Sequence, residues 1–172
     1  MKGGWRVAQG ASVGVLLAAA FVVTDGFGTR ALVVNRTESL PRGLYVRTFD
    51  EVHRGDIVRI PIPTAMLDYL AHWPAWKAWL EKGGLLKPVV GMGGDVVCRG
   101  AGGDFSLNGA LLGVAMAKGP EDRPLPSWAG CIRLSGEQIA VFSNRIPDSM
   151  DSREFGPVPA ATAVPYRLIW EF

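Results

Sequence analysis

Apolar residues recur along most of the chain in short runs that glycine, proline and polar clusters separate. Runs of this length, rich in Val, Ile and Leu, are typical of β-strands. They predict strands at residues 31–34, 44–47, 57–60, 85–90, 96–99, 131–134, 138–142 and 164–172, with a tight hairpin turn at 108–109. The pattern therefore predicts a mainly β domain, in which the sheet folds over on itself or closes into a barrel.

Residues 64–84 depart from this pattern, because their apolar side chains recur at helical spacing. Pro74 divides the segment into two short helices, since proline interrupts a helix from within. This helical insert contains Trp73, Trp76 and Trp79. Aromatic side chains at such spacing usually pack against a core, but tryptophan is also favoured where protein meets membrane lipid. The pattern leaves both interpretations open.

The beginning of the chain forms a region of its own. Residues 1–6 carry basic side chains, and residues 7–24 carry no charge. At a helical rise of about 1.5 Å per residue, the uncharged stretch spans roughly 27 Å and can cross a thin hydrocarbon core. The positive-inside rule then keeps residues 1–6 in the cytoplasm and exports residues 25–172. We expect a transmembrane signal anchor; a removable signal peptide, cut near the alanines at 18–20, is the alternative and also exports the domain.

The charge balance argues against binding to nucleic acid. The 172-residue chain holds 18 basic and 16 acidic residues, and Lys2 and Arg6 account for the whole excess. Without these two, 16 basic residues face 16 acidic ones. A nucleic-acid-binding domain carries a basic surface instead. The length is that of one domain with a core of its own.

The cysteines favour a disulfide. Cys98 and Cys131 enclose the hairpin and loop insert at 98–131, and an even number of cysteines in an exported domain favours pairing. Closing a loop of about thirty residues stabilises a fold by roughly 3–4 kcal/mol. Two buried free thiols are the alternative if the domain is not exported. His53 and His72 show no ligand-like spacing with the cysteines, so neither a metal site nor a cofactor is expected.

A lysine inside an apolar run is the first candidate for chemistry. Burial of the Lys87 amine disfavours its charged form, and a neutral amine is a base. The alternative is a side chain that lies along the sheet with its charge in water. Ser39, on the turn-rich loop at 35–41, supplies the hydroxyl that such a base would deprotonate. A serine–lysine dyad needs no histidine, and neither histidine here is well placed for a Ser-His-Asp triad.

Segments around these residues resemble a known family. Residues 87–95, Lys-Pro-Val-Val-Gly-Met-Gly-Gly-Asp, resemble the lysine box of type I signal peptidases, and residues 149–158 resemble their closing box, Ser-x-Asp-Ser-Arg-x-x-Gly-x-Val. Ser39 occupies the nucleophile position. The resemblance implies a serine endopeptidase with a signal-peptidase-like folded β-domain. It also implies a single-pass protein of the bacterial inner membrane, with its catalytic domain on the periplasmic side and a precursor protein as its substrate.

Two departures from that family point to one of its subgroups. The usual nucleophile box, Ser-Met-x-Pro-Thr, is replaced by a sequence that starts Ser-Leu-Pro-Arg-Gly, and Gly93 stands where the lysine box usually has proline. Residues 37–45 have the form Thr-x-Ser-x-Pro-x-Gly-x-Tyr, which is more similar to the TraF-type conjugal transfer peptidases. Those enzymes process the precursor of the conjugative pilus subunit, and some join its ends into a ring.

The resemblance also implies supporting roles. The N–H of Ser39 and the hydroxyl of Thr37 are expected at the oxyanion, although Thr37 is nearly as well explained as a turn-forming residue. Ser149 is expected to hydrogen-bond the neutral amine and orient it. Asp151 and Arg153 are expected to form an ion pair that braces their loop. In TraF-type enzymes the aspartate at this place has also been given a catalytic role.

Two other classes of protein fit parts of the sequence. A non-catalytic, peptidase-like component of a conjugation or secretion apparatus would use the same fold for docking, but it would not need both Ser39 and Lys87. An autocleaving repressor would use the same dyad. The apolar stretch at 7–24 and the lack of a basic DNA-binding region argue against it.

Overall fold

Short strands joined by tight turns make up most of the molecule. The computed structural model describes residues 30–172. The strands are β1 Leu32–Asn35, β2 Gly43–Arg47, β3 Ile57–Ile60, β4 Leu85–Gly91, β5 Val96–Arg99, β6 Asp104–Leu107, β7 Ala110–Val114, β8 Gly130–Arg133, β9 Gln138–Val141, β10 Val158–Pro159 and β11 Val164–Glu171. The helices are α1 Leu67–Leu70, α2 Pro74–Gly83 and α3 Ser152–Phe155. The mainly β class predicted from the apolar runs is confirmed.

The predicted anchor at 7–24, the cytoplasmic residues 1–6 and the first residues of the 25–172 domain lie outside the described part of the chain. None of the helices within residues 30–172 has the length and apolar character that crossing a membrane requires.

The strands form two antiparallel sheets. The larger, curled sheet has seven strands in the order β1-β2-β11-β3-β4-β9-β10, and the smaller one has four in the order β7-β6-β5-β8. The last strand, β11, lies between β2 and β3, so it joins β1 and β2 to the rest of the larger sheet. Since β1 ends the order, it pairs with β2 alone within the described residues.

Strand β4 brings a charged residue to the buried side of the larger sheet. Its residues alternate between buried and partly exposed, as expected for a strand with one face on the core. Leu85, Lys87, Val89 and Gly91 occupy the buried positions. β4 also pairs with β3 on one side and β9 on the other, so it is a central strand. Lys87 therefore lies on the core side of the sheet.

The helical segment at 64–84 contains α1 and α2, preceded by a 3-10 turn at Thr64–Met66. Pro74 is the first residue of α2, where a missing N–H costs nothing. Gly84 follows the helix with φ of 70°, a left-handed conformation that glycine adopts without strain, and turns the chain into β4. Leu80 is buried and fixes α2 on the core next to the start of β4.

The smaller sheet carries the disulfide and the predicted hairpin. Cys98 on β5 and Cys131 on β8 are directly opposite each other, and the expected bridge between them is present. The turn between β6 and β7 has φ of 50° at Asn108 and 84° at Gly109. Positive φ at both central residues is the geometry that Asn-Gly favours in a tight hairpin.

One helix was not expected from the sequence. The polar stretch 143–156, for which the apolar pattern predicts neither strand nor helix, contains the short helix α3. Its first turn is held by a capping box, in which the Asp151 side chain accepts from the N–H of Arg153 and the Glu154 side chain accepts from the N–H of Asp151. Asp151 is thus fixed by local hydrogen bonds before any tertiary contact is considered.

Candidate active site

Ser39 lies on the connection between β1 and β2, which one asparagine holds in shape. The side-chain amide of Asn35 donates to the carbonyl oxygens of Thr37 at 3.0 Å, Leu40 at 3.3 Å and Pro41 at 3.0 Å. Its Oδ1 accepts from the N–H of Thr37 at 3.2 Å. An Asx side chain that satisfies this many backbone groups fixes a turn that has no regular secondary structure. The hydroxyl of Ser39 is held in place as a result.

The structure brings the two candidate reactive groups together. Lys87 Nζ donates a hydrogen bond of 2.7 Å to Ser39 Oγ, although the two residues are 48 positions apart in the chain. Only 3% of Ser39 and 5% of Lys87 is exposed. The amine therefore does not extend into water, which removes the alternative of a surface-seeking lysine.

Burial changes the acid–base behaviour of the amine. Loss of solvent lowers the pKa of Lys87 from its usual 10.5 to about 8, the nearby Asp151 and Glu154 carboxylates oppose the shift, and Arg153 adds to it. Half of the molecules then carry a neutral amine at about pH 8. A surface lysine would be almost entirely protonated at that pH.

The expected ion pair between Asp151 and Arg153 is present and almost fully buried. Arg153 Nε lies 2.9 Å from Asp151 Oδ1, and its Nη2 lies 3.0 Å from Oδ2. The same guanidinium donates to the carbonyl oxygens of Ser149 at 3.1 Å and Pro147 at 3.0 Å. A buried pair whose remaining donors are satisfied avoids the full cost of desolvation. It binds the polar loop, residues 143–151, to the start of α3.

Ser143 connects this pair to Ser39, a role that sequence reasoning missed. Its N–H donates to Asp151 Oδ2 at 3.1 Å, and its hydroxyl donates a short hydrogen bond to the carbonyl oxygen of Ser39. The carboxylate thus positions the Ser39 backbone through one intermediate residue. No sequence pattern distinguishes this serine from its polar neighbours, because its contacts join segments about a hundred residues apart.

Glu154 was also missed, although its signal was in the sequence. The spacing Asp-x-x-Glu at 151–154 is that of a capping box. Burial, followed by the charge of Asp151, raises the pKa of Glu154 from its usual 4.5 to about 7. A second buried group near Lys87 therefore titrates close to neutral pH.

One supporting residue differs from expectation, and the other has the alternative role that the sequence left open. Ser149 Oγ is buried and has no hydrogen-bond partner within residues 30–172, so the expected bond to the Lys87 amine is not formed. The Thr37 hydroxyl lies 3.4 Å from Ser39 Oγ, but it also bonds Asn35 Oδ1 at 2.8 Å. Because a hydroxyl has one proton and the carbonyl oxygen only accepts, that proton is directed to Asn35. In this structure Thr37 is a turn-forming residue.

Ser39 and Lys87 line a cleft of about 590 Å³ between β1, α2, the start of β4 and the polar loop. Ser149 also lines this cleft, and Trp76 and Trp79 line it from α2. Within residues 30–172 no group of three or more His, Cys, Asp or Glu side chains is arranged to hold a metal ion. The candidate reactive groups are therefore the hydroxyl of Ser39 and the amine of Lys87, beside a space large enough for part of a peptide.

A buried hydroxyl bonded to a basic side chain beside an open cleft is the arrangement of a serine hydrolase. The chain belongs to the signal peptidase family: the family model described as "Signal peptidase, peptidase S26" matches residues 6–166. It is therefore a serine endopeptidase that acts on precursor proteins. Among solved structures it is similar to a signal peptidase I from Enterococcus faecalis, with 18% identity and a TM-score of 0.37 over 67% of this chain and 96% of that chain. No curated protein sequence matches it.

Proposed function

We propose that this peptidase works through a serine–lysine dyad, with Ser39 as the nucleophile and Lys87 as its general base. The observation that supports this assignment is the 2.7 Å hydrogen bond between two side chains that are both almost fully buried. Nucleophilic catalysis by serine requires a base within this distance, and a lysine can act as one only if its amine loses its proton easily. Burial supplies that condition by lowering the pKa of Lys87 to about 8.

The reaction proceeds through an acyl-enzyme. The neutral Lys87 amine takes the proton as Ser39 Oγ attacks the carbonyl carbon of the scissile bond, and the resulting ammonium gives a proton to the leaving amine. A second nucleophile, activated by the amine, then releases the acyl group. The N–H of Ser39 is proposed to donate to the oxyanion; Thr37 would join it only after its hydroxyl turns away from Asn35.

The precursor is proposed to bind as an extended segment along β1. This strand has a partner on one side only within the described residues, so its other edge offers N–H and C=O groups to an added strand. The β1 edge runs along the cleft towards the dyad. With 3% of Ser39 exposed, small side chains next to the scissile bond allow the closest approach.

The TraF-like pattern at 37–45 and the uncharged stretch at 7–24 support a more specific proposal. In it, the chain is a membrane-anchored, periplasmic peptidase that matures the precursor of a conjugative pilus subunit. Both possible outcomes share the acyl-enzyme. Water as the second nucleophile gives hydrolysis, and the amino terminus of the same precursor gives a ring.

A serine-directed acylating inhibitor tests whether the dyad is catalytic. Above pH 8 the purified full chain should gain one adduct on Ser39, located by mass spectrometry of the digested protein, because the neutral amine of Lys87 activates this hydroxyl. Ser135→Ala, which alters an exposed serine between β8 and β9, should react equally. A folded wild-type chain without an adduct on Ser39 would favour the non-catalytic docking component instead.

A reporter fused after Phe172 tests the proposed location. Alkaline phosphatase should be active and a green fluorescent protein dark, since only the former works in the periplasm. The basic residues before the uncharged stretch motivate this expectation. Changing Lys2 and Arg6 to glutamate should reduce phosphatase activity at an unchanged protein level. Fluorescence of the unaltered fusion would contradict the anchor's proposed orientation.

A further inference from the structure

The tryptophans of the helical insert lie in two different environments. Trp73 packs inward, with ring centroids 5.1 Å from Tyr69, and the guanidinium of Arg123 lies 5.7 Å from its own centroid. Trp76 is also partly buried against this core, with its ring centroid 6.0 Å from that of Trp73, and it lines the cleft of Ser39 and Lys87 together with the exposed Trp79. The sequence left open whether these tryptophans pack against the core or make an exposed contact. The structure shows packing for Trp73 and an exposed ring for Trp79.

Helix α2 presents the rings of Trp76 and Trp79 to the cleft from a fixed position. Trp76, Trp79 and Leu80 are three and four residues apart, which places them on one face of the helix. Leu80 is buried and fixes that face against the core, whereas 57% of Trp79 is exposed. A large aromatic ring at the edge of a cleft gains most from an apolar ligand that covers it.

The charged side chains of the cleft, apart from the dyad, are predominantly basic. Arg30, Arg36 and Lys82 line it, and Asp148 is the only acidic residue among the described residues that do so. The field of such a cleft favours a negatively charged group on whatever enters it. The cleft thus combines an aromatic surface with a positive charge that attracts acidic side chains.

The position of α2 relative to Ser39 and Lys87 determines which precursor residues can contact Trp76 and Trp79. From Gly84, where α2 has just ended, three strand residues lead to Lys87, about 10 Å at the rise of a β-strand. An extended precursor has nearly the same rise. The tryptophans therefore meet precursor residues about three or more positions from the scissile bond, beyond those that adjoin it.

From these observations we infer that Trp76, Trp79 and Lys82 form a second recognition site for the precursor. It selects an apolar segment that carries an acidic residue, located about three to five residues from the cut. This inference rests on the proposed peptidase function and specifies its substrate. A polypeptide fits better than a membrane surface, because both rings line the same cleft as Ser39 and the residues of the edge strand β1.

Internally quenched peptides test the inference on the full chain. All peptides have alanine on both sides of the cut. They differ in a three-residue segment, Leu-Leu-Asp, Leu-Leu-Lys or Ser-Gly-Ser, which lies about three to five residues from the cut. Each segment is tested once before the cut and once after it. The Leu-Leu-Asp peptide should have the highest kcat/KM, by about tenfold over Ser-Gly-Ser, through a lower KM. Trp79→Ser should remove this advantage, by lowering kcat/KM much more for Leu-Leu-Asp than for Ser-Gly-Ser. Lys82→Glu should reverse the preference between the Asp and Lys peptides.

Matched variants separate recognition from general effects. Trp170→Ser alters a tryptophan that is 64% exposed and does not line the cleft, and Lys118→Glu alters an exposed lysine of the β7–β8 loop; both should match wild type. Equal kcat/KM for all peptides, or an equal loss on all of them in Trp79→Ser, would overturn the inference alone. The inference would also be overturned if Trp79→Ser weakened co-sedimentation with phosphatidylethanolamine–phosphatidylglycerol vesicles but did not change peptide cleavage. If folded wild-type chain cleaves no peptide and Ser39 takes no inhibitor, the proposed function fails as well.

Discussion

Ser39→Ala and Lys87→Ala are each expected to abolish processing, and the double variant is expected to be no less active than either single one. The first substitution removes the attacking oxygen, and the second removes the base 2.7 Å from it. Each change is expected to lower kcat by about 10³-fold to 10⁶-fold. The two losses should not multiply in the double variant, because the residues act as one unit and removing either one disables both. The measurement is kcat/KM on a quenched peptide with small residues at the cut.

Folding and a neighbouring serine provide the controls for this expectation. Ser39→Ala leaves the backbone contacts of the loop intact, because Asn35 and Ser143 bind main-chain atoms there, so its thermal unfolding should resemble that of wild type. Ser149→Ala should retain much of the activity, since its hydroxyl makes no hydrogen bond to the amine of Lys87. Substantial activity in Ser39→Ala, or a double variant far weaker than both singles, would contradict a dyad.

Features with a local cause were predictable from the sequence. The strand 57–60 was predicted with the bounds that the structure has, and the Asn-Gly turn after β6 adopts the expected positive φ values. β1 covers Leu32–Asn35, one residue later than expected, because pairing with β2 extends to Asn35 opposite Gly43. The apolar run around Lys87 made burial of its amine one of two interpretations, and the structure shows the buried one.

Features that depend on contacts between distant segments were not predictable. Asn35 looked like an ordinary turn residue, and only the folded loop reveals the carbonyl oxygens that its amide satisfies. Ser143 contacts the carbonyl of Ser39, 104 positions away. The periodicity of α2 predicted a helix but not which face meets the cleft, so the separate environments of Trp73 and Trp79 had no signal in the sequence.

The proposed role of Lys87 as a base predicts a specific dependence of activity on pH. Only the neutral amine is a base, and burial lowers the pKa of Lys87 to about 8, so kcat/KM should rise with pH through about 8 and stay high in mildly alkaline solution. Glu154, whose pKa is raised to about 7, is a second candidate for such a transition. Glu154→Gln should keep the rise and move its midpoint to lower pH, because the Glu154 carboxylate favours the ammonium form of Lys87.

The lowered pKa of Lys87 also predicts how the stability of the folded chain changes with pH. Between pH 8 and the unfolded value near 10.5, the unfolded chain keeps the proton that the folded chain has lost. The free energy of unfolding gains a contribution from Lys87 that rises with pH across this interval, since stability rises wherever the unfolded state binds more protons. Lys87→Met has a similar length and no charge, so the difference between its denaturation curves and those of wild type isolates this contribution.

Replacement of Lys87 by arginine separates a base from a mere positive charge. A guanidinium keeps its proton under all conditions in which proteins are folded, so it cannot accept one from Ser39. Lys87→Arg should therefore be as inactive as Lys87→Ala at every pH, although it restores the charge. The amine is buried, and Asp151 and Glu154 lie near enough to favour a cation there, so the comparison requires that circular dichroism find Lys87→Arg folded. A lysine needed only for its charge gives the opposite result: a folded Lys87→Arg chain with near-normal processing and no rise in activity around pH 8 would remove Lys87 from the mechanism.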